Sequence, residues 1–318
     1  MTPVADLTAR VGEIVLPNPV LAASGTFGFG PEYQSFVEMS RLGGIAVKGV
    51  AVEPWPGNPP PRVWETPSGL LNSIGLQNPG VEAFIRDDLP FLRALGVVLV
   101  VNVIGHTVDE YRRVSERLAR ESGIAALEVN ISCPNIKEGG MQFGHDPERA
   151  FEVVRAVVET AGRPVWVKLS PNTDRVLEVG EAARSAGAAA LSAINTLVGM
   201  AIDLDLRRPA LGGGSGGLSG PAIRPVGVRV VYEVSRRIGL PVVGMGGIET
   251  ARDALEYLMA GASAVMVGTA TFGRPDAMTR VIDELPDALR QYGFASVAEA
   301  VGAAHPRGRT LEGAPDEY

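Results

Sequence analysis

Eight short apolar runs constrain what this chain can fold into more than any other feature. They occupy residues 20–23, 44–48, 97–103, 125–131, 164–169, 188–194, 241–244 and 264–267, and most end at or beside Gly, Asn, Ser or Lys. A strand with one wet face alternates polar and apolar residues. These runs barely do, so both faces must be covered, as in a parallel sheet flanked by helices. Amphipathic stretches of about 10–15 residues separate many of them. Asp146-Pro147 offers an N-cap residue before a first-turn proline, Phe151, Val154, Val158 and Ala161 follow at helical spacing, and Gly162 stands where a C′ glycine belongs. Val226, Val230, Val234 and Ile238 mark a second helix after Gly220-Pro221; Tyr111, Val114 and Leu118 mark a third; Ala251, Leu255 and Leu258 mark a fourth. Eight strands with helices between them predict a closed (β/α)₈ TIM barrel. The alternative is an open doubly wound sheet, but no G-x-G-x-x-G follows a strand.

Length alone, at about 150 residues per domain, suggests two domains. However, no linker and no repeat beyond the βα unit divides the 318 residues, so residues 1–318 are expected to form one barrel domain. Three segments exceed a minimal barrel: the Pro-rich residues 49–81, residues 132–145, and residues 195–220 with their glycine run at 212–217. Each follows the C-terminal end of a strand, the face where barrel enzymes build their sites; the plain alternative is an exposed connector.

Lys plus Arg number 29 and Asp plus Glu 36, a net charge of −7, which argues against a nucleic-acid binder or a polybasic membrane-surface protein. Asp6, Arg10 and Glu13 break any signal-peptide pattern, and the apolar stretch 97–101 is far below the ~20 residues of a membrane span. The expectation is a soluble, cytoplasmic protein. A single cysteine excludes an internal disulfide and any Cys-ligated cluster built from this chain alone.

That cysteine lies just past the fourth run, in Glu128-Val129-Asn130-Ile131-Ser132-Cys133-Pro134-Asn135. A thiol, with a pKa near about 8.5, can act as a general base once partly desolvated. A lone cysteine is more often a small buried hydrophobe, but Asn130, Ser132 and Asn135 suit a core poorly and favour the functional reading. Lys48 and Lys168 end strands two and five, where they would point into the barrel mouth. They could cap the rim as ion pairs, face an anionic ligand, or form a Schiff base. Strands seven and eight end in Gly246-Gly247 and Gly268-Thr269, turns whose N–H groups can reach a phosphate. Asn72, Asn102, Asn130 and Asn195 suit a planar heterocycle with amide edges. His106, His145 and His305 show no metal-ligand spacing, and no metal site is expected.

These residues together resemble the class 1 dihydroorotate dehydrogenases, flavin-dependent (β/α)₈ barrels of pyrimidine biosynthesis. The resemblance runs from about Leu16 to Ala270 and rests on Ala23-Ser24-Gly25, Leu71 to Gly80, Asn130 to Asn135, Ile194-Asn195-Thr196 and the two glycine turns. A cysteine at position 133 points to class 1, since class 2 carries serine there. Gly69-Leu70-Leu71-Asn72, Gln77 to Gly80, and Asn195 to Met200 look like subclass 1B. The resemblance implies one FMN per chain, with its phosphate on Gly246, Gly247, Gly268 and Thr269. Ser24, Lys48, Gly49, Asn102, Asn130, Lys168, Ile194 and Gly220 would line the rest of it. Dihydroorotate would be held by Lys48, Asn72, Ser73, Ile74, Gly75, Leu76, Asn130, Asn195 and Thr196. Cys133 would take the C5 proton while hydride leaves C6 for the flavin.

Subclass 1B further implies NAD as final acceptor, reached through a partner subunit carrying FAD and a [2Fe–2S] cluster, in a heterotetramer with two copies of each chain. Part of the surface near the flavin should then be apolar. Three alternatives remain at this point: a single-subunit class 1A enzyme reducing fumarate, a phosphate-binding barrel lyase or aldolase using Lys48 or Lys168, and a non-catalytic flavin-binding barrel.

Overall fold

Each of the eight apolar runs forms a strand in the computed structural model, which describes residues 5–131 and 143–306. The strands are β1 (Val20–Ala22), β2 (Gly44–Val50), β3 (Val98–Val103), β4 (Ala126–Asn130), β5 (Val165–Lys168), β6 (Ala190–Ala193), β7 (Val242–Met245) and β8 (Ala262–Val267). Each pairs in parallel with the next, and β8 returns to β1 through Val265–Val20, Met266–Leu21 and Val267–Ala22. The sheet is therefore a closed barrel, and the open doubly wound alternative is set aside. No helix among the described residues is long and apolar enough to cross a membrane.

The covering helices follow their sequence punctuation closely. Asp146 caps Pro147–Ala161 by accepting from the Glu148 N–H at 2.9 Å, and Gly162 ends it at φ 60°. The buried face is Ala150, Val153, Val154, Val157 and Ala161. Phe151 is 40% exposed and Val158 only partly buried, so the expected stripe is rotated toward Ala150 and Val153. Small residues let this helix approach the sheet closely, and the phenyl ring is left at the margin. Val230, Val234 and Ile238 are buried on Arg224–Ile238, with Val226 at its edge. Val108–Ala119 buries Tyr111, Val114 and Leu118, and Ala251–Met259 buries Ala251, Leu255 and Leu258.

Two of the three long segments are not plain connectors. Strands Val63–Thr66 and Gly69–Asn72 from the first, with Leu197–Gly199 and Gly216–Ser219 from the third, pair antiparallel in a four-stranded sheet beside the barrel mouth. The prolines of the first segment and the glycines of the third hid this sheet, because both residue types are poor strand formers. Here glycine is needed for close approach. A Cβ on Gly216 would lie 2.5 Å from the Asn72 carbonyl oxygen and 2.5 Å from Leu211 Cδ1.

The leucine can swing aside but the neighbouring backbone cannot. Gly216→Ala is therefore expected to lower the unfolding free energy by about 1–3 kcal/mol, the usual cost of overpacking. Urea unfolding measures it, and an unchanged midpoint would reject this packing argument.

Candidate active site

The C-terminal ends of all eight strands meet at one cavity, roofed by the four-stranded sheet. Every residue marked from the sequence lines it except Ser73 and Cys133. Ser73 is fully buried behind the lining, where its Oγ accepts from Asn58 Nδ2 at 2.8 Å. Cys133, with Ser132, Pro134 and Asn135, lies outside the described residues.

Local backbone explains how the lysines arrive there. On β2 the pairing with β3 shifts register between Val47 and Val50, and the Lys48 N–H donates to Gly28 O at 3.0 Å instead of to the neighbouring strand. Such a bulge re-aims the side chain at that point. Gly49 follows because a Cβ there would meet Ile104 Cγ2 at 3.0 Å and Asn102 Oδ1 at 3.1 Å. Lys168 ends β5 and crosses the barrel to Ser24, just past β1, at 3.2 Å. Among the described residues, Lys48 and Lys168 bring two ammonium groups to the cavity against one lining carboxylate, Glu249. That balance favours an anionic ligand.

The glycine turns adjoin one another. Gly246 and Gly247 have φ of 123° and 70°, conformations that L side chains rarely adopt. A Cβ on Gly247 would come within 2.7 Å of the Gly220 carbonyl oxygen. Thr269 Oγ1 donates to Ser219 Oγ at 2.8 Å, joining the turn after β8 to the same edge of the roof. Behind the turn after β7 stands Tyr257, whose hydroxyl donates to Gly246 O at 2.8 Å and lies 3.2 Å from Met245 O. Burial pushes its phenol well above the usual range. Because a trans peptide directs its C=O and N–H oppositely, tying the Gly246 carbonyl to Tyr257 turns the Gly247 N–H away from that helix.

Sequence reasoning missed several of these contributors. Tyr257 reads as one more apolar position of a helix, and Glu128 as part of a strand. Thr26, Ser219, Glu249 and Phe272 also line the cavity. Ser219 stands beside Gly220 and Glu249 two residues past Gly247, so nearness in sequence to marked glycines was the available signal. The histidines stay apart from this site. The His106 ring lies 4.0 Å from that of Trp55, and His305 Nε2 is 2.9 Å from Ala260 O. No group of three His, Cys, Asp or Glu able to hold a metal occurs among the described residues.

The segment that supplies roof strand Leu197–Gly199 exposes several apolar side chains. Val198, Met200 and Ile202 alternate outward, Leu204 and Leu206 follow in an exposed turn with Leu204 83% exposed, and Phe272 is 56% exposed at the cavity rim.

Burial holds the Lys48 amine below the ordinary lysine value, the Arg62 cation adds to this, and Glu32 opposes it. The unfolded chain therefore keeps that proton to higher pH than the folded chain, and stability rises with pH between the lowered value and about 10.4. In urea unfolding of the ligand-free protein, Lys48→Met is expected to flatten this part of the profile. The same slope in both proteins would contradict the placement.

The comparisons with known proteins point one way. Residues 6–289 match the family model described as dihydroorotate dehydrogenase. A protein of Geotalea uraniireducens is 51% identical over 298 residues, covering 94% of this chain and 98% of its own length. One from Desulforudis audaxviator is 53% identical over 298 residues, with 94% and 97% covered. One from Bacillus pumilus is 48% identical over 296 residues, with 93% and 96% covered. Each of the three is named dihydroorotate dehydrogenase B (NAD(+)), catalytic subunit.

Proposed function

The chain belongs to the dihydroorotate dehydrogenase family, in subclass 1B, and from that premise we propose that it oxidises (S)-dihydroorotate to orotate in pyrimidine biosynthesis, with FMN as its flavin. The observation that carries this reading is the single cavity in which two lysines and three strand-end asparagines face the glycine turns of β7 and β8. A cradle of glycine backbone at the turns of β7 and β8 fits a phosphate. Lys168, Ser24, Gly49, Asn102, Asn130, Ile194 and Gly220 provide apolar walls, amide edges and one cation suited to a flavin head.

When bound, the flavin supplies the hydride acceptor. The protein's own groups do the rest. Lys48 is the cation for the substrate carboxylate; an anion beside it favours the charged amine that burial disfavours. Asn72, Ile74, Gly75, Leu76, Asn195 and Thr196 close around the substrate ring, with Ser73 supporting them from behind. The four-stranded sheet, to which Asn72 belongs, roofs them and excludes water from the reacting carbon. Cys133 takes the C5 proton, a role that the Asn130-Ile131-Ser132-Cys133 motif supports. Cys133→Ala should keep FMN but slow flavin reduction by dihydroorotate about 10²–10⁴-fold, the ordinary range for a general base. Rapid-mixing absorbance under anaerobic conditions reads it, and a loss below about tenfold removes the role.

Electrons then leave the chain. Its one cysteine cannot supply the four thiolates of a cluster, so the relay belongs to a partner subunit carrying [2Fe–2S] and FAD, with NAD as the final acceptor and two copies of each chain. The outward apolar series from Val198 to Leu206, with Phe272 at the rim, supports a protein neighbour at this face. The isolated chain should reduce dyes with dihydroorotate but not NAD⁺. Brisk NAD⁺ reduction by the single chain would sink the proposal, and efficient fumarate reduction would move it to subclass 1A.

A further inference from the structure

Four hydrogen bonds through side-chain amides inside the barrel run in one direction. Glu128, on β4 and fully buried, accepts from Asn102 Nδ2 at 2.6 Å and from Ser192 Oγ at 2.7 Å. Asn102 Oδ1 accepts from Asn130 Nδ2 at 3.5 Å, the longest step. Asn130 Oδ1 accepts from Asn195 Nδ2 at 3.3 Å, and Asn195 Oδ1 accepts from the Thr196 N–H at 2.8 Å. Every NH₂ group in the series therefore points toward Glu128 and every carbonyl oxygen points away from it.

Shape alone cannot impose this order, because an asparagine amide turned end for end occupies nearly the same space. The two ends of the series can. A backbone N–H only donates and a carboxylate only accepts, and both demand the same direction. Were Asn102 reversed, its oxygen would face a carboxylate oxygen between two buried side chains, leaving two acceptors opposed.

We infer that Glu128 is a positioning residue: it fixes the direction of the Asn102–Asn130–Asn195 series, and so decides which edge of each amide, donor or acceptor, is offered to the cavity. The inference builds on the dihydroorotate reading of that cavity. A pyrimidine ring presents N–H and C=O groups at fixed places, and a reversed series would meet donors with donors. Glu128 touches no substrate in this scheme and acts through Asn102.

Glu128→Gln tests it, since glutamine keeps the size but can offer Asn102 either a donor or an acceptor. In the FMN-bound protein, orotate binding read from the flavin spectrum should weaken about tenfold or more, the scale of one misdirected hydrogen bond. The KM for dihydroorotate should rise with it. Ser192→Ala removes the other partner of the carboxylate without touching the amides, and should hold orotate within about threefold of wild type. A Glu128→Gln protein that binds orotate within about twofold of wild type overturns the inference.

A second readout uses the wild-type chain alone. The Asn102 side-chain amide signal, assigned by its loss in Asn102→Ser, should show one proton shifted strongly downfield by its charge-assisted bond; two ordinary protons would also overturn the inference. If wild-type FMN protein neither binds orotate nor is reduced by dihydroorotate, the substrate reading fails, while the amide signal still judges Glu128.

Discussion

Closing the sheet on itself is the constraint from which the other features follow. Eight parallel strands left open would expose two edges of unpaired N–H and C=O groups, and pairing β8 with β1 removes both. Closure also forces the inward side chains of all strands into one shared interior. At its C-terminal end that interior is polar: Ser24, Asn102, Glu128, Asn130, Lys168 and Ser192 are all buried there. Polar groups so placed must satisfy one another, and they do so across the barrel, Lys168 to Ser24 and Ser192 to Glu128. Closure thus turns residues far apart in sequence into a connected floor beneath the cavity.

Glycine and tyrosine do complementary work at the rim. Positive φ at Gly246 and Gly247 bends the chain back over the barrel end, and Tyr257 holds that bend from the helix side. A Cβ on Gly227 would lie 2.0 Å from the Tyr257 hydroxyl, and one on Gly244 would lie 2.5 Å from its ring. The phenol therefore sits in a slot made by two missing side chains, so its position is set as firmly as that of the strands.

The barrel was legible in the sequence because strands buried on both faces are compositionally plain, and the helix stop at Gly162 is equally so. Most cavity residues were legible too, since Asn130, Lys168, Gly246 and Gly268 interrupt apolar runs where a core has no use for them. The roof was not: Gly216 and Gly217 carry no side chain to signal a strand, and the Pro-rich segment suggests a loop. Glu128 was hidden for another reason. Its importance lies in what it accepts from Asn102 and Ser192, and hydrogen-bond partners on other strands leave no trace in local pattern. Phe151 went the opposite way, an apolar residue at helical spacing that the packing leaves outside.

The roof also carries a consequence in time. Asn72 Nδ2 donates to Gly217 O at 3.1 Å, joining residues 145 positions apart. At the ribosome's pace of about 5–20 residues per second, residue 217 emerges roughly 7–29 s after residue 72. Through that interval the hairpin of Val63–Thr66 and Gly69–Asn72 has only itself to pair with, and a lone two-stranded hairpin is marginal in water. The edge that will receive Gly216–Ser219, strand Gly69–Asn72, stays unpartnered while strands β3 to β6 are being made, and the opposite edge, Val63–Thr66, is an outer strand even in the finished sheet. The segment that will enclose the cavity is thus the one most exposed to wrong pairing during synthesis, and its prolines at 59, 60, 61 and 67, which cannot donate to a foreign strand, stand beside that edge.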